Sequence, residues 1–220
     1  MMLPQVRYSA YTLAVALCIG YFVQAEIADP GALKLLVFAD ANDTLGTSEY
    51  SPVELIQPVL LLICASLFAW VAHNFPSQRP IAFLFGGIAI AGAIRECDYF
   101  LDTLVADNFW QIPVGIMAAL LIVYTGRHRR RFAIGWQRVW PSAGLALLFA
   151  GAIIEFVFAQ MIGHEPLWRA LAGDGYQRIV KVAIEEFIEL IGYLLWLIGS
   201  IEYALQVPVV VRRPRGSDTR

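Results

Sequence analysis

The stretch KVAIEEFIEL, Lys181–Leu190, places three glutamates and a lysine inside the otherwise apolar run YQRIVKVAIEEFIELIGYLLWLIGSIEYAL, Tyr176–Leu205. A helix of about 20 apolar residues crosses the hydrocarbon core of a bilayer, so this run is long enough to do so. A charged side chain at the bilayer centre costs roughly 2.5–3.5 kcal/mol on insertion scales. The stretch therefore predicts a membrane helix whose charged residues face protein, water or a ligand rather than lipid.

The composition of the whole chain favours the same setting. Of its 220 residues, 59% are hydrophobic and 15% are charged, whereas average soluble domains are about 25% charged. We expect an all-α fold: an integral membrane bundle of about six transmembrane helices, forming one domain over residues 1–220, with a short basic cytoplasmic tail at 206–220. The predicted spans are approximately Tyr8–Ala25, Val53–Ala72, Ile81–Leu101, Phe109–Thr125, Ala143–Ile162 and Ile179–Leu205.

The distribution of Lys and Arg predicts the orientation, because cytoplasmic loops are enriched in both. With both termini in the cytoplasm, only Lys34, Arg95, Arg169, Arg178 and Lys181 of the sixteen basic residues fall in the outer half or outside. Of the eighteen acids, only Glu202 and Asp218 fall on the inner side. The first segment resembles a signal peptide, since Arg7 precedes it and VQA ends it, just before Glu26, but we expect it to be a retained helix.

The depths of the polar residues matter more than their number. With a rise of 1.5 Å per residue, three helices place carboxylates about 10–15 Å below the outer edge of the membrane. Lys181, Glu185 and Glu189 follow i, i+4, i+8 spacing and share a face, and Glu186 projects about 100° away. On the third helix, Arg95 is expected to share a face with Asp98, Tyr99 and Asp102, whereas Glu96 points elsewhere.

These positions define a candidate ligand- or ion-binding site. Carboxylates at this depth outnumber the cations Arg95 and Lys181, so the remaining negative charge favours a proton or a metal cation. Oxygen ligands suit Ca²⁺, Mg²⁺ or Mn²⁺ better than Zn²⁺, so a hard divalent cation is the candidate for an otherwise unknown cofactor. The predicted site residues are Glu54, Arg95, Glu96, Asp98, Tyr99, Asp102, Glu155, Lys181, Glu185, Glu186 and Glu189, with Glu96, Glu155, Glu185 and Glu189 as metal candidates.

A second candidate surface is the basic segment GRHRRRFAIGWQR, residues 126–138. Its Arg127, Arg129, Arg130 and Arg131 are candidate contacts for anionic lipid headgroups or a partner. An ordinary positive-inside loop is the simpler interpretation. We expect no nucleic-acid partner. The bilayer is the expected partner, and a homo-oligomer or another membrane subunit stays open. Outside the membrane, ALKLLVFA at residues 32–39 is either a short interfacial helix or a plain loop.

The motifs SPVELIQP, RECDYFLD and EEFIELIGYLL, which begin at Ser51, Arg95 and Glu185, resemble a pattern in uncharacterised bacterial polytopic membrane proteins. The resemblance would cover most of the chain. It implies a bacterial inner-membrane location and a six-helix layout, and it implies no activity.

Three functions remain open at this stage. The first is an outward-facing intramembrane site that binds or conducts a proton, a cation or a cationic solute. The second is an intramembrane enzyme that acts on a lipid or lipid-linked substrate with a glutamate as acid or base. The third is a structural or sensory subunit whose buried ion pairs only hold helices together. The sequence lacks HExxH, GxSxG, Walker A and haem motifs, so it identifies no catalytic residue.

Overall fold

The computed structural model describes residues 3–29, 31–33 and 51–212. Within these ranges all regular elements are helices. They are α1 (Pro4–Ala28), α2 (Pro52–Asn74), α3 (Arg79–Arg95), α4 (Asp98–Leu104), α5 (Gln111–Arg127), α6 (Arg129–Val139), α7 (Ala143–Ile153), a π-helical segment (Ile154–Ala159), α8 (Gln160–Ile162), α9 (Glu165–Ala172), a 3₁₀ turn (Gly173–Gly175) and α10 (Arg178–Arg212).

Several of these helices are long and apolar enough to cross a membrane, as the sequence predicts. Four described segments qualify by length and composition: Pro4–Ala28, Pro52–Asn74, Ala143–Ile162 and Val180–Val211. A fifth is obtained if α3 and α4 together form one span, and α5 is an apolar helix of 17 residues. The all-α prediction is therefore confirmed for the described residues, and their apolar helices indicate a membrane-embedded protein.

The third predicted span differs from a straight helix. It breaks between Arg95 and Asp98, and α3 and α4 are bent by 57°. The backbone leaves helical geometry at Cys97, where φ is −104° and ψ is 18°. The prediction that Arg95 shares a helix face with Asp98, Tyr99 and Asp102 is therefore wrong, because it assumed an uninterrupted helix.

The C-terminal part also differs from the predicted boundaries. Helix α10 continues to Arg212, so the first part of the predicted tail at 206–220 is helical. Residues 213–220 lie outside the described residues, as do 34–39 of the predicted interfacial segment 32–39. The single-domain arrangement stays a prediction, because the chain divides into two compact units, Met1–Gln57 with Gly151–Leu194, and Pro58–Ala150 with Leu195–Arg220.

The first unit contains α1, the start of α2, the end of α7, the π-helical segment, α8, α9 and the first part of α10. Helix α2 begins with a capping box, in which the Ser51 hydroxyl accepts a hydrogen bond from Glu54 N–H and the Glu54 carboxylate accepts one from Ser51 N–H, both at 3.1 Å. The helices carrying Gly151 and Gly192 approach closely, since a Cβ on Gly192 would lie 3.3 Å from the Gly151 carbonyl oxygen. Glycine permits such close packing between membrane helices.

The second unit is built around an aromatic cluster and further glycine contacts. Phe68 stacks on Phe85 and also contacts Tyr203, with ring centroids 5.6 Å apart in both pairs. A Cβ on Gly144 would lie 2.7 Å from the Tyr203 backbone nitrogen, so α7 and α10 pack backbone against backbone there. On α3, Gly87 packs against the side chain of Leu121 on α5.

Most of the basic segment 126–138 is helical: Arg127 ends α5, and the residues from Arg129 onward belong to α6. Helix α6 packs on α3 in the second unit, where buried Gln78 donates a hydrogen bond of 3.3 Å to the Gly135 carbonyl. Its apolar side carries a stacked series of aromatic rings, with Phe132–Trp136 and Trp136–Trp140 centroids 5.7 and 5.9 Å apart. The alternation of basic and aromatic residues in α6 is typical of an amphipathic helix. The positive-inside interpretation of the segment stays a prediction.

Candidate functional site

Two buried carboxylates form the centre of the candidate site in the first unit. Glu155 is 3% exposed and Glu189 is 4% exposed, and carboxylate oxygens of the two lie within 4.8 Å of one another. They come from the span Ala143–Ile162 and from α10. The structure thus brings together two of the predicted site residues that are 34 positions apart in the sequence.

Glu155 lies on an irregular piece of its helix. The π-helical segment Ile154–Ala159 interrupts the apolar span between α7 and α8. A π-helical turn holds one extra residue and is found frequently at functional sites. It changes the direction in which the following side chains project compared with a regular α-helix, so the segment helps to determine where the Glu155 carboxylate lies.

Tyr193 on α10 forms a hydrogen bond with one member of this pair. Its hydroxyl donates a hydrogen bond of 2.9 Å to Oε1 of Glu155, and its side chain is 4% exposed. Tyr193 follows Glu189 by four residues, so the two project from the same side of α10. Gly192 leaves room for the Glu155 carboxylate, because a Cβ at this position would lie 3.3 Å from Oε2 of Glu155.

Lys181, on the same helix, pairs with a different carboxylate, that of Glu185. Lys181 Nζ forms an ion pair with Oε2 of Glu185 at 2.5 Å, and the two side chains are 16% and 20% exposed. Their i, i+4 spacing is the one the sequence predicts. Gly163 lies against the Glu185 carboxylate and leaves no room for a Cβ, so Glu185 is held by Lys181 and by the end of α8.

Glu186 faces another neighbour, as its position on the helix predicts. The side-chain amide of Gln57, which is fully buried, donates a hydrogen bond of 3.0 Å to Oε2 of Glu186. Glu54, one turn earlier on α2, belongs to the capping box. Glu54 therefore helps to begin α2, and its part in a ligand site stays a prediction.

The remaining predicted ligand-site residues belong to the second unit. Arg95 forms an ion pair with Glu96 at 2.9 Å. The prediction that Glu96 points away from Arg95 is therefore wrong, because α3 ends at Arg95 and neighbouring side chains can meet there. Asp98 accepts a hydrogen bond of 2.6 Å from Tyr99 N–H at the start of α4, and Asp102 lies on the same short helix.

The second candidate surface is also in this unit. The four predicted lipid or partner contacts all have exposed side chains, at the end of α5 and the start of α6: Arg127, Arg129, Arg130 and Arg131.

Sequence reasoning did not identify Tyr193 or the π-helical segment as parts of the site. Tyr193 could have been found from its four-residue spacing to Glu189. The π-helical segment has no such signal, because its sequence IEFVFA fits a regular apolar helix equally well.

Comparison with known proteins finds no match for this chain among protein-family models, curated proteins or solved structures. A buried pair of carboxylates with a phenol donor can hold a proton between oxygens, or supply oxygen ligands to a hard cation.

Proposed function

We propose that this chain is a polytopic membrane protein that binds a proton, or in second place a small cation, at the Glu155–Glu189 pair, and passes it across the membrane. The observation that carries the proposal is the burial of two neighbouring carboxylates in apolar helices. Intramembrane ionisable residues that face the protein interior commonly mark proton or ion pathways.

Electrostatics supports a bound positive species. Two unit charges of the same sign 4.8 Å apart repel each other by about 3.5 kcal/mol at an effective dielectric constant of about 20. A proton or a cation between Glu155 and Glu189 removes this repulsion. The Tyr193 hydroxyl donates to Glu155 and so stabilises negative charge on one member of the pair.

A proton fits the first unit better than a divalent ion. Ca²⁺ takes about 6–8 oxygen ligands, and Mg²⁺ usually keeps several waters. The pair and Tyr193 provide fewer oxygens than Ca²⁺ needs, and side chains only 3–4% exposed leave little access for water. Of the predicted metal candidates in the first unit, Glu185 is ion-paired with Lys181.

Proton flux into proteoliposomes tests the proposal. Purified protein is reconstituted with a pH-sensitive dye in the lumen, and a potassium diffusion potential drives uptake. Glu155→Gln and Glu189→Gln keep the size of each side chain but remove the ionisable group, so each is expected to abolish the flux. Glu165→Gln is the matched control, because Glu165 lies outside the pair and its carboxylate binds Arg169 at the surface of α9.

Infrared difference spectroscopy separates binding from transport. A shared proton gives a carboxyl C=O band that is present in wild type and lost in Glu155→Gln. Wild-type flux in both pair variants, with correct folding in micelles, would rule out the proposal. Uptake of calcium or manganese that depends on both glutamates, without proton flux, would show that the pair binds a divalent cation and not a proton.

A structural role is the second candidate, and a specific observation favours it. Glu185 and Glu186 each have a partner within the first unit, Lys181 and Gln57. Removing one partner of a buried pair is destabilising. If the pair Glu155–Glu189 served only stability, glutamine variants would change unfolding in micelles while wild-type vesicles would carry no flux above empty ones.

We also propose that the chain spans a bacterial inner membrane six times, with both termini in the cytoplasm. The distribution of Lys and Arg supports this orientation, and α5, with 17 residues, reaches the lower limit of a spanning helix. The bent pair α3–α4 is either a broken span or a re-entrant loop.

Cysteine labelling distinguishes the two. The native cysteines are replaced, and Asp107→Cys or Ser77→Cys is introduced. If the chain spans the membrane six times, an impermeant thiol reagent labels Asp107→Cys from outside and labels Ser77→Cys only after lysis. A re-entrant pair would place both on one side.

A further inference from the structure

The second unit contains an open groove whose floor is apolar and whose one end is basic. Its volume is about 670 Å³, within the usual range of about 300–1,000 Å³ for ligand sites. Helices α2, α3 and α5 form its walls, and their small residues Ala69, Gly86 and Gly87 leave the space open. Phe83 and Ile90 line it with side chains 47% and 37% exposed, so the groove is accessible from outside the protein.

The direction of the groove follows from the helices that line it. Phe83 contacts Tyr124 with ring centroids 4.9 Å apart, and Gly87 packs against Leu121, so α3 and α5 run antiparallel along it. From Arg79 to Ile90 the groove follows α3 over twelve residues, about 16 Å from the first to the last. It is therefore long enough to hold much of one extended hydrocarbon chain.

The basic end is held in a defined geometry. His73 lies in the last turn of α2 and Arg79 begins α3. Both residues line the groove. The Arg79 Nε–H donates a hydrogen bond of 3.0 Å to the Ala72 carbonyl, which fixes the guanidinium beside the groove. Its two terminal nitrogens make no hydrogen bond with the described residues.

The charge around this end has one sign. None of the described residues that line the groove is acidic. Tyr124 lies three residues before Arg127, and the exposed Arg129, Arg130 and Arg131 follow at the start of α6. Arg79 precedes the apolar part of its helix, and this position corresponds to the level of lipid phosphates in a bilayer.

We propose that this groove binds one anionic phospholipid, with an acyl chain along α3 and the phosphate on the Arg79 guanidinium. An apolar floor requires an apolar tail, and the positive end requires a negative headgroup. A guanidinium with two adjacent N–H groups binds phosphate oxygens in a bidentate way. The site is independent of the carboxylate pair, so either proposal can fail without the other.

Native mass spectrometry of protein released from nanodiscs of equal parts phosphatidylglycerol and phosphatidylethanolamine tests the groove. Wild-type protein is expected to retain phosphatidylglycerol in preference to phosphatidylethanolamine. Ala69→Trp fills the groove and should remove most of the retained lipid. Ala119→Trp is the matched control, because Ala119 is an exposed alanine on α5 that does not line the groove.

Two substitutions of Arg79 separate headgroup binding from folding. Arg79→Gln removes the charge and should lower phosphatidylglycerol retention about fivefold, since one basic residue near an anionic surface contributes about 1 kcal/mol. Arg79→Lys loses the Nε–H bond to Ala72 and the bidentate contact but keeps the charge, and should retain more of the lipid than Arg79→Gln. If Ala69→Trp does not fold, these two variants carry the test.

Three results would overturn the proposal. The first is equal retention of the two lipids by wild type. The second is equal loss of lipid in Arg79→Gln and Arg79→Lys, which would make Arg79 purely structural. The third is a dimer that Ala69→Trp dissociates while bound phosphatidylglycerol is unchanged, which would assign the groove to a second copy of the chain.

Discussion

The Tyr193 hydroxyl donates a 2.9 Å hydrogen bond to Oε1 of Glu155, from a tyrosine only 4% exposed to a glutamate only 3% exposed. This contact joins α10 to the π-helical segment within the first unit. It also places a donor on one member of the Glu155–Glu189 pair. A hydrogen bond from a phenol stabilises the charged form of the Glu155 carboxylate.

Tyr193→Phe is expected to lower the free energy of unfolding in detergent micelles by about 1.5–3 kcal/mol, the range for a hydrogen bond to a charged group. The substitution removes the hydroxyl and keeps the ring, so packing should change little. Equilibrium unfolding in mixed micelles measures the effect.

Tyr176→Phe is the matched control for this substitution. The Tyr176 hydroxyl is buried and makes no hydrogen bond with the described residues, and phenylalanine keeps the ring that Arg169 covers at 4.7 Å. Loss of the Tyr176 hydroxyl should leave the free energy of unfolding unchanged or raise it slightly. Equal destabilisation by both variants would show that the Tyr193–Glu155 bond contributes nothing specific.

Gly144→Ala is expected to destabilise the protein by about 1–3 kcal/mol, the usual cost of overpacking. The added Cβ would lie 2.7 Å from the Tyr203 nitrogen and 3.0 Å from its Cα, and the α10 backbone cannot move aside as a side chain can. Gly115→Ala, where no atom lies within 4 Å of the new Cβ, should instead stabilise α5 by about 0.5–1 kcal/mol. Thermal unfolding of both variants in the same detergent checks this, and a destabilised Gly115→Ala would contradict it.

Much of the helical layout could be predicted from hydropathy alone, because a membrane helix must satisfy its own backbone and present apolar side chains. The Lys181–Glu185 pair could also be predicted, since i, i+4 spacing is a local property of one helix. The capping box at Ser51 and Glu54 has a recognisable pattern. These features depend only on residues close together in the sequence.

The break at Cys97 and the π-helical segment around Glu155 could not be predicted in this way. Neither is marked by a proline or glycine at the irregular position, so local propensity favours a continuous helix in both. The approach of Glu155 to Glu189 depends on how two distant helices pack. Spacing along one chain carries no information about that packing.

Ser51→Ala should lower the free energy of unfolding by about 1 kcal/mol, a typical cost for loss of an N-cap. The Ser51 hydroxyl accepts from Glu54 N–H at 3.1 Å, and alanine leaves that donor without its cap. Glu54→Gln should have little effect on stability, because glutamine also serves in a capping box. Unfolding in micelles measures the difference.

The same Glu54→Gln variant tests whether Glu54, a predicted site residue, takes part in the proton pathway. The capping box accounts for its carboxylate at the start of α2, so proton flux in vesicles is expected to equal that of wild type, whereas Glu155→Gln abolishes flux. A loss of flux in Glu54→Gln with unchanged stability would place Glu54 on the pathway.

Gln78→Leu should loosen α6 within the second unit. Gln78 is fully buried, donates to the Gly135 carbonyl at 3.3 Å and accepts from the Tyr203 hydroxyl at 3.1 Å. Because one hydrogen bond contributes about 1 kcal/mol net, amide hydrogen exchange in Arg129–Val139 should accelerate about fivefold. Tyr203→Phe removes only the second bond and should leave exchange in α6 near wild type. Equal acceleration by the two variants would mean that α6 is held by the whole polar cluster rather than by the Gln78–Gly135 bond.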